Sequence, residues 1–274
     1  HLRQQQAKMS MAAEVLAKAA EEATKPEPRS TGADGLASDD IVGTTFFIAC
    51  NMMLAFTIFF LMSVQMVPKQ WKTSVIVASL VTGIAFYNYT FMKETWVKTH
   101  SSPTQYRYVD WLITVPLQIT EFYFILKGAG PVRSGLGTQM FTMSLGMVFA
   151  GWAAENNIIG KLPGFVLGMA AWLYIVYDVT SGESAGLAAG MKSQAHRDAF
   201  NYVRLIVSIG WIIYPLGYAI AYIIPGPLIR PHHEGAPYDV LNIVYNLADL
   251  VNKGAFGLAV YSAASTDKEG ALLG

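Results

Sequence analysis

A lysine and an aspartate, Lys253 and Asp249, lie four residues apart in an apolar stretch near the C-terminal end of the sequence. Residues at this spacing are neighbours on one face of a helix. A buried ammonium group needs an anionic partner, so the two side chains can form an ion pair that locks the structure. A buried lysine is also the side chain that forms Schiff bases with aldehydes. The pair therefore indicates either a structural ion pair or the attachment site of an aldehyde.

Two carboxyl groups, Asp110 and Glu121, occupy a second apolar stretch. Their separation of 11 residues is about three helical turns, so they share a face and lie about 16 Å apart along the axis. Arg107 stands one turn from Asp110 and favours its ionised form, whereas apolar and hydroxyl neighbours favour the neutral form of Glu121. A charged carboxylate and a neutral acid on either side of a cation can act as proton acceptor and proton donor. The alternative is that each carboxyl group pairs with another helix for structural reasons.

A third stretch carries aromatic residues at helical spacing. Trp211, Tyr214 and Tyr218 follow an i, i+3, i+7 pattern, which is typical of core packing but can also line an elongated apolar ligand. Pro215 lacks a backbone N–H, so it should kink the helix that carries it.

Long apolar segments position all of these residues. Of the 274 residues, 53% are hydrophobic and only 14% are charged, which is too apolar for an ordinary soluble domain. A helix that crosses a bilayer needs about 20 mostly apolar residues and satisfies its own backbone. Seven stretches meet this requirement: 41–67, 72–96, 104–127, 136–155, 161–179, 199–224 and 238–263. The sequence therefore predicts an all-α membrane protein, a seven-transmembrane-helix bundle over residues 39–265, with an extramembrane tail at 1–38 and a short tail at 266–274.

Composition also excludes other classes of protein and of site. Lysine plus arginine number 19, as do aspartate plus glutamate, and the chain has no basic stripe, so we expect no nucleic-acid partner. The single cysteine, Cys50, rules out an intrachain disulfide. His232, His233 and Glu234 are potential metal ligands, but they fall in a predicted loop and we expect no metal site.

Basic residues are unequally divided between the two sides of the predicted bundle. The connections after the first, third and fifth spans and the C-terminal tail carry seven: Lys69, Lys72, Lys127, Arg133, Lys192, Arg197 and Lys268. The other three connections carry three: Lys98, Lys161 and Arg230. Because cytoplasmic loops are enriched in lysine and arginine, we expect an extracellular N-terminus and a cytoplasmic C-terminus.

Two sequence strings are specific enough to indicate a family. One reads Arg-Tyr-Val-Asp-Trp-Leu-Ile-Thr-Val-Pro-Leu at 107–117, and the other reads Tyr-Asn-Leu-Ala-Asp-Leu-Val-Asn-Lys at 245–253. With them the chain resembles the microbial rhodopsins, most closely the proteorhodopsin and xanthorhodopsin-like proton pumps. The resemblance covers residues 40–265. It implies a retinal protein that acts as a light-driven outward proton pump, and not an enzyme.

The resemblance also implies a role for each charged residue. Lys253 would bind all-trans retinal as a protonated Schiff base. Asp110 would be the main counterion and first proton acceptor, and Asp249 the second counterion. Glu121 would reprotonate the Schiff base from the cytoplasmic side, and Arg107 would lie just outside the counterions.

Uncharged residues take supporting roles by the same resemblance. Thr114 completes the Asp, Thr, Glu signature of proton pumps in this group. Gln118 matches a position where glutamine accompanies blue-shifted absorption, so we expect blue absorption. The residues expected to wall the chromophore are Trp111, Trp211, Tyr214 and Pro215.

Two further positions qualify the resemblance. Phe165 stands where carotenoid-binding relatives have glycine, which argues against a carotenoid antenna. Asn88 stands where most proteorhodopsins have a histidine that partners the counterion aspartate. An asparagine can hydrogen-bond to Asp110 but cannot carry a proton.

The main alternative function is a retinal-based sensory photoreceptor. Sensors tend to lack the cytoplasmic carboxylic donor, whereas Glu121 is present here. A light-gated channel is disfavoured because the second span lacks a line of glutamates, and a seven-helix receptor or transporter without retinal remains a further alternative. The expected partners are retinal, membrane lipid and protons, and because oligomers are common in the family we also expect a homo-oligomer.

Overall fold

The structure is a computed structural model that describes residues 35–223 and 236–273. The tail up to residue 34 and the loop with His232, His233 and Glu234 lie outside the described residues. The described ranges contain nine α-helices and two short 3₁₀ turns, and no strand. The helices are α1 Ile41–Ser63, α2 Lys72–Thr99, α3 Thr104–Ala129, α4 Ser134–Glu155, α5 Lys161–Thr180, α6 Glu183–Ala189, α7 Gln194–Ser208, α8 Ile213–Tyr222 and α9 Ala236–Leu273.

Each of the seven predicted spans is mainly helical over its described residues, which confirms the predicted all-α bundle. By length and hydropathy, five helical segments of the described residues qualify as membrane-crossing on their own: Ile41–Ser63, Lys69–Thr99, Thr104–Ala129, Lys161–Ala189 and Gln194–Tyr222. The two spans outside this set are α4 and α9. Both carry many glycine, serine and threonine or asparagine residues, which lower their mean hydropathy.

The sixth span is interrupted where proline was expected to bend it. The 3₁₀ turn Gly210–Ile212 separates α7 from α8, and Pro215 follows in the first turn of α8. Proline removes the hydrogen bond that its N–H would donate to the preceding turn. The regular α-helix of the sixth span is therefore interrupted at Trp211, whose side chain is buried with 5% of its surface exposed.

Helices that are consecutive in sequence are also neighbours in space, and α9 closes the arrangement. From α1 to α5 each helix packs against the next, and α9 packs against α1, α2, α7 and α8. Helix α3 lies against α2, α4 and α7. As a result, α3 and α9 present their polar faces to a shared interior.

The distribution of polarity is inverted relative to that of a soluble protein. Large apolar side chains such as Ile58, Met62 and Leu167 are exposed, at 50%, 71% and 58%. By contrast, Asp110 and Lys253 are buried, at 0% and 2%. An apolar exterior and self-satisfied helical backbones are what a bilayer demands. The chain is therefore an integral, multi-pass membrane protein.

Two glycines allow α9 to approach α1 closely. A Cβ atom added at Gly254 would lie 2.4 Å from Phe56, and one added at Gly257 would lie 2.4 Å from Cζ of Phe60. Phenyl rings in these positions belong to the apolar core, and Phe60 is fully buried. The α1–α9 contact therefore depends on the missing side chains.

Gly257→Ala should lower stability by about 1–3 kcal/mol, because the added methyl group displaces the buried Phe60 ring. The measurement is the thermal midpoint in detergent. Gly146→Ala in α4 is the matched control, since no atom lies within 4 Å of the added Cβ; its gain in helix propensity should leave stability equal or higher by about 0.5–1 kcal/mol. Equal midpoints for the two variants would contradict the close contact.

Candidate functional site

Lys253 lies at the centre of a buried ion cluster. Its Nζ atom donates a hydrogen bond of 2.9 Å to Oδ2 of Asp249, one turn earlier on α9. It also donates to Oδ2 of Asp110 on α3. The two carboxylates are fully buried and the lysine is 2% exposed. The structure thus brings together three of the charged residues that the sequence singled out, from helices on opposite sides of the interior.

Asp249 is saturated with hydrogen bonds. Besides the lysine, it accepts bonds from the hydroxyl of Tyr214 at 2.8 Å and from the hydroxyl of Tyr89 at 3.0 Å. The indole Nε1 of Trp111 donates to the same carboxylate at 3.2 Å. Four donors around two oxygens match the lone pairs of a charged carboxylate. Asp249 is therefore built to remain a fixed negative charge.

Asp110 has a different environment. Its Oδ2 atom is held by Lys253, but its Oδ1 atom is buried and has no hydrogen-bond partner. The Thr114 hydroxyl donates to the backbone carbonyl of Asp110 at 3.0 Å, not to its carboxylate. An unsatisfied carboxylate oxygen beside an ammonium group is a position that can receive a proton.

The second carboxyl group of α3 lies in apolar surroundings. Glu121 is 1% exposed, and neither of its carboxyl oxygens has a hydrogen-bond partner. The hydroxyl of Ser74 on α2 is close enough to act on the carboxyl group, yet it makes no hydrogen bond of normal geometry with it. Charging such a group would leave an unpaired buried anion, at a cost of several kcal/mol or more. The burial of Glu121 without a partner therefore favours the neutral acid over the carboxylate.

Arg107 lies one turn from Asp110, on the side away from Glu121. Its Nη2 atom donates to the side-chain oxygens of Asn242 and Asn246, each at 3.0 Å. The guanidinium group is 3% exposed, and its Nη1 atom has no partner among the described residues. In the described structure it makes no ion pair within 4 Å with Asp110 or Asp249, so its positive charge acts on these carboxylates through space.

An apolar cavity begins at Lys253 and extends towards α4 and α5. It contains about 830 Å³ of space not filled by atoms, part of which is open to the outside. Every residue that the sequence analysis assigned to cofactor binding lines it: Lys253, Trp111, Gln118, Trp211, Tyr214 and Pro215. An elongated space with aromatic walls and one amine at its end fits a rod-shaped apolar aldehyde.

Comparison with known proteins agrees with this geometry. The family model of bacteriorhodopsin-like proteins matches residues 40–266. The chain belongs to this family. It is 41% identical over 246 residues to a blue-light absorbing proteorhodopsin of Gamma-proteobacterium Hot 75m4, which covers 90% of this chain and 94% of that protein.

Two further similarities support the assignment. The chain is 38% identical over 242 residues to a green-light absorbing proteorhodopsin of Gamma-proteobacterium EBAC31A08, covering 88% of this chain and 94% of that protein. The crystal structure of the blue light-absorbing proteorhodopsin from Med12 superposes with a TM-score of 0.70 at 42% identity, covering 83% of this chain and all of that one.

Membership of the bacteriorhodopsin-like family implies retinal as the chromophore. The cavity of this rhodopsin fits the group, because it presents the amine of Lys253 among aromatic walls. On the side of α5 the Phe165 ring stacks on Tyr218, with centroids 5.8 Å apart and an interplanar angle of 17°. Both rings line the cavity.

One hydrogen bond that the sequence allows, between Asn88 and Asp110, is not formed among the described residues. The amide of Asn88 donates to the carbonyl of Ile84 in its own helix at 3.0 Å. It makes no hydrogen bond to Asp110 in the described structure, since Oδ1 of that aspartate has no partner. A backbone carbonyl one turn away satisfies the amide, so the side chain stays folded against α2.

Sequence reasoning missed residues that act on the site from neighbouring helices. Tyr89 donates to Asp249, and Ser74 lies near Glu121. Asn252 accepts at its backbone carbonyl from Gln118 Nε2 at 3.3 Å and donates from its side chain to the carbonyl of Gly210 at 3.2 Å. A tyrosine or serine in an apolar span carries no sequence signal of its own, so only the packing of the helices reveals these contacts.

Tyr89→Phe should destabilise the protein by about 1.5–3 kcal/mol, because a hydrogen bond to a charged, buried carboxylate is lost. The measurement is the thermal midpoint in detergent. Tyr123→Phe is the matched control, since its ring packs against the core but its hydroxyl makes no hydrogen bond with the described residues. A midpoint for Tyr89→Phe equal to that of the control would show that Asp249 does not depend on this donor.

Proposed function

We propose that this rhodopsin is a light-driven outward proton pump with all-trans retinal on Lys253. The observation that carries the proposal is the pair of buried carboxyl groups on one face of α3. Asp110 contacts Lys253 and has one open oxygen, whereas Glu121, about 16 Å further along the helix, has no partner. Similarity to blue-light and green-light absorbing proteorhodopsins supports the use of light.

The cofactor would supply the response to light. Bound to Lys253 Nζ as a protonated Schiff base, it would supply a photoisomerisation that changes the direction and the proton affinity of that nitrogen. Asp110 Oδ1 then receives the proton, since it is the unsatisfied oxygen beside the amine. Asp249 keeps its negative charge, because four donors hold it.

Glu121 completes the cycle from the other end of α3. A neutral acid without a hydrogen-bond partner gives up its proton when the nitrogen of Lys253 has lost its own. Arg107 places a fixed positive charge on the Asp110 side, which opposes the entry of a proton from there. Transport is therefore directed from the Glu121 end of the bundle to the Arg107 end.

The proposal extends to colour and surroundings. Gln118 lines the cavity with its amide held by the carbonyl of Asn252, and a polar amide near the polyene favours the ground-state charge distribution, hence blue absorption. The ring of Phe165 lines the cavity on the side of α5, which argues against a carotenoid antenna.

The excess of basic residues on one side supports a cytoplasmic C-terminus and an extracellular N-terminus. We extend the proposal to a homo-oligomer in lipid, with the membrane domain at 39–265.

The test is the light-induced pH change in a suspension of cells that express the full chain and receive retinal. Pumping predicts acidification of the medium that a protonophore abolishes. No pH change in coloured cells would overturn the pump and favour the alternative, a sensory photoreceptor.

Asp110→Asn should abolish light-induced acidification and shift absorption to longer wavelength, because the chromophore loses its negative partner and the proton its acceptor. The comparison is made between cell suspensions of equal colour, so that retinal binding serves as the control for folding. Undiminished pumping by a coloured Asp110→Asn protein would contradict the role of this carboxyl group.

Glu121→Gln should slow the late part of the photocycle by at least about tenfold at neutral pH, because a positioned acid that transfers a proton is lost. Time-resolved absorption measures the decay, and the early transfer from Lys253 should keep its rate. Glu94→Gln is the matched control, since Glu94 pairs with Lys98 on the exposed surface. An unchanged late decay in Glu121→Gln would count against the donor role.

A further inference from the structure

A compact cluster closes the end of the bundle beyond Glu121. The indole Nε1 of Trp71, in the 3₁₀ turn before α2, donates to Asp267 Oδ2 on α9 at 2.9 Å. The Trp71 ring also packs against the His196 ring of α7, with centroids 4.2 Å apart. We call Trp71, His196 and Asp267 the Trp71 cluster. It joins the ends of α2, α7 and α9.

Asp267 connects this cluster to water. The same Oδ2 atom accepts a bond of 2.9 Å from Gln70, whose side chain is exposed. Trp71, its other donor, is 1% exposed. The carboxylate therefore lies at the boundary between solvent and the closed interior.

His196 is the buried, titratable member of the cluster. It is 3% exposed, and its Nδ1 atom lies 2.9 Å from the Ser193 hydroxyl. Its Nε2 atom points at the end of α3, where a Cβ atom added to Gly128 would lie only 2.7 Å away. The imidazole thus contacts Gly128 of α3, the indole of Trp71 and the hydroxyl of Ser193. Among the described residues, the charged group that acts on it is the carboxylate of Asp267.

Ser74 supplies a buried hydroxyl group near Glu121, one helical turn after Trp71. Ser74 follows Trp71 by three residues and so lies on the same face of α2. It is buried and close to the Glu121 carboxyl group. Gly128 lies about 10 Å along α3 from Glu121. This distance exceeds one hydrogen bond, so His196, which lies beside Gly128, cannot hand a proton directly to Glu121.

We propose that His196 and Asp267 collect the proton that refills Glu121, and that Trp71 closes this route while the protein rests. The proposal rests on the proposed pump. A proton from solvent reaches the Asp267 carboxylate and passes to the neutral His196 imidazole. The imidazolium then releases it through water and Ser74 to the Glu121 carboxylate, and both collecting groups return to their starting state. Histidine suits this task because its charge changes near neutral pH.

The experiment measures the late photocycle step of the full-length, retinal-bound protein between about pH 6 and pH 9, a range that brackets the titration of imidazole. The test variants are His196→Gln and Asp267→Asn. The matched controls are His100→Asn and Asp198→Asn. His100 follows the last residue of α2 and adopts the left-handed conformation at φ 48°, which asparagine tolerates. Asp198 accepts a hydrogen bond from Gln194 on the surface.

Both test variants should slow the late step by about tenfold or more above neutral pH, with a rate that falls as the proton concentration falls. Azide, a small diffusible acid, should restore the rate, while the early transfer from Lys253 and the absorption maximum stay unchanged. The controls should behave as the unmodified protein.

A purely structural cluster gives a different pattern. If His196→Gln and Asp267→Asn lower the thermal midpoint but keep the pH profile of the late step, or if azide leaves a slowed step unchanged, the collecting role is overturned. A failure of the pump itself is distinguishable, because the unmodified protein would then produce no light-induced pH change at all.

Discussion

The burial of one ammonium group is the constraint on which the rest of the structure depends. An isolated cation in an apolar interior is too costly to keep, and Lys253 is 2% exposed. Asp249 offsets that cost from the same helix and Asp110 from the opposite one. The register of α3 relative to α9 is therefore constrained by this ion pair. The glycines that let α9 approach α1 keep this pairing in place.

The two aspartates differ in how completely they are satisfied, and this difference gives the site its direction. Asp249 has four donors, whereas Asp110 keeps one oxygen without a partner. Glu121 adds a second asymmetry along α3, since it is buried with no partner at all. In the proposed pump, a proton that leaves Lys253 thus finds an open acceptor on one side, and the replacement comes from an acid on the other.

Much of this could be predicted from the sequence. Stretches of about 20 mostly apolar residues located every span, because lipid-facing helices must be apolar, and the spacing of Asp249 and Lys253 placed them on one face. Hydropathy failed at helix ends that leave the apolar layer: α7 begins at Gln194, earlier than residue 199, because Ser193 caps a polar first turn. Likewise α9 continues to Leu273 through serine, threonine and charged residues. Contacts between helices, such as Tyr89 with Asp249 and Asn88 with its own backbone, depend on rotamers that spacing does not determine.

The most direct test of the central claim is time-resolved infrared difference spectroscopy in the carboxyl C=O stretching region, with Asp110→Asn and Glu121→Gln proteins used to assign the bands. The account predicts that Glu121 is protonated in the dark, that Asp110 gains a proton first, and that Glu121 loses its proton afterwards. A Glu121 carboxylate that is already ionised in the dark, or an Asp110 that never gains a proton, would contradict it.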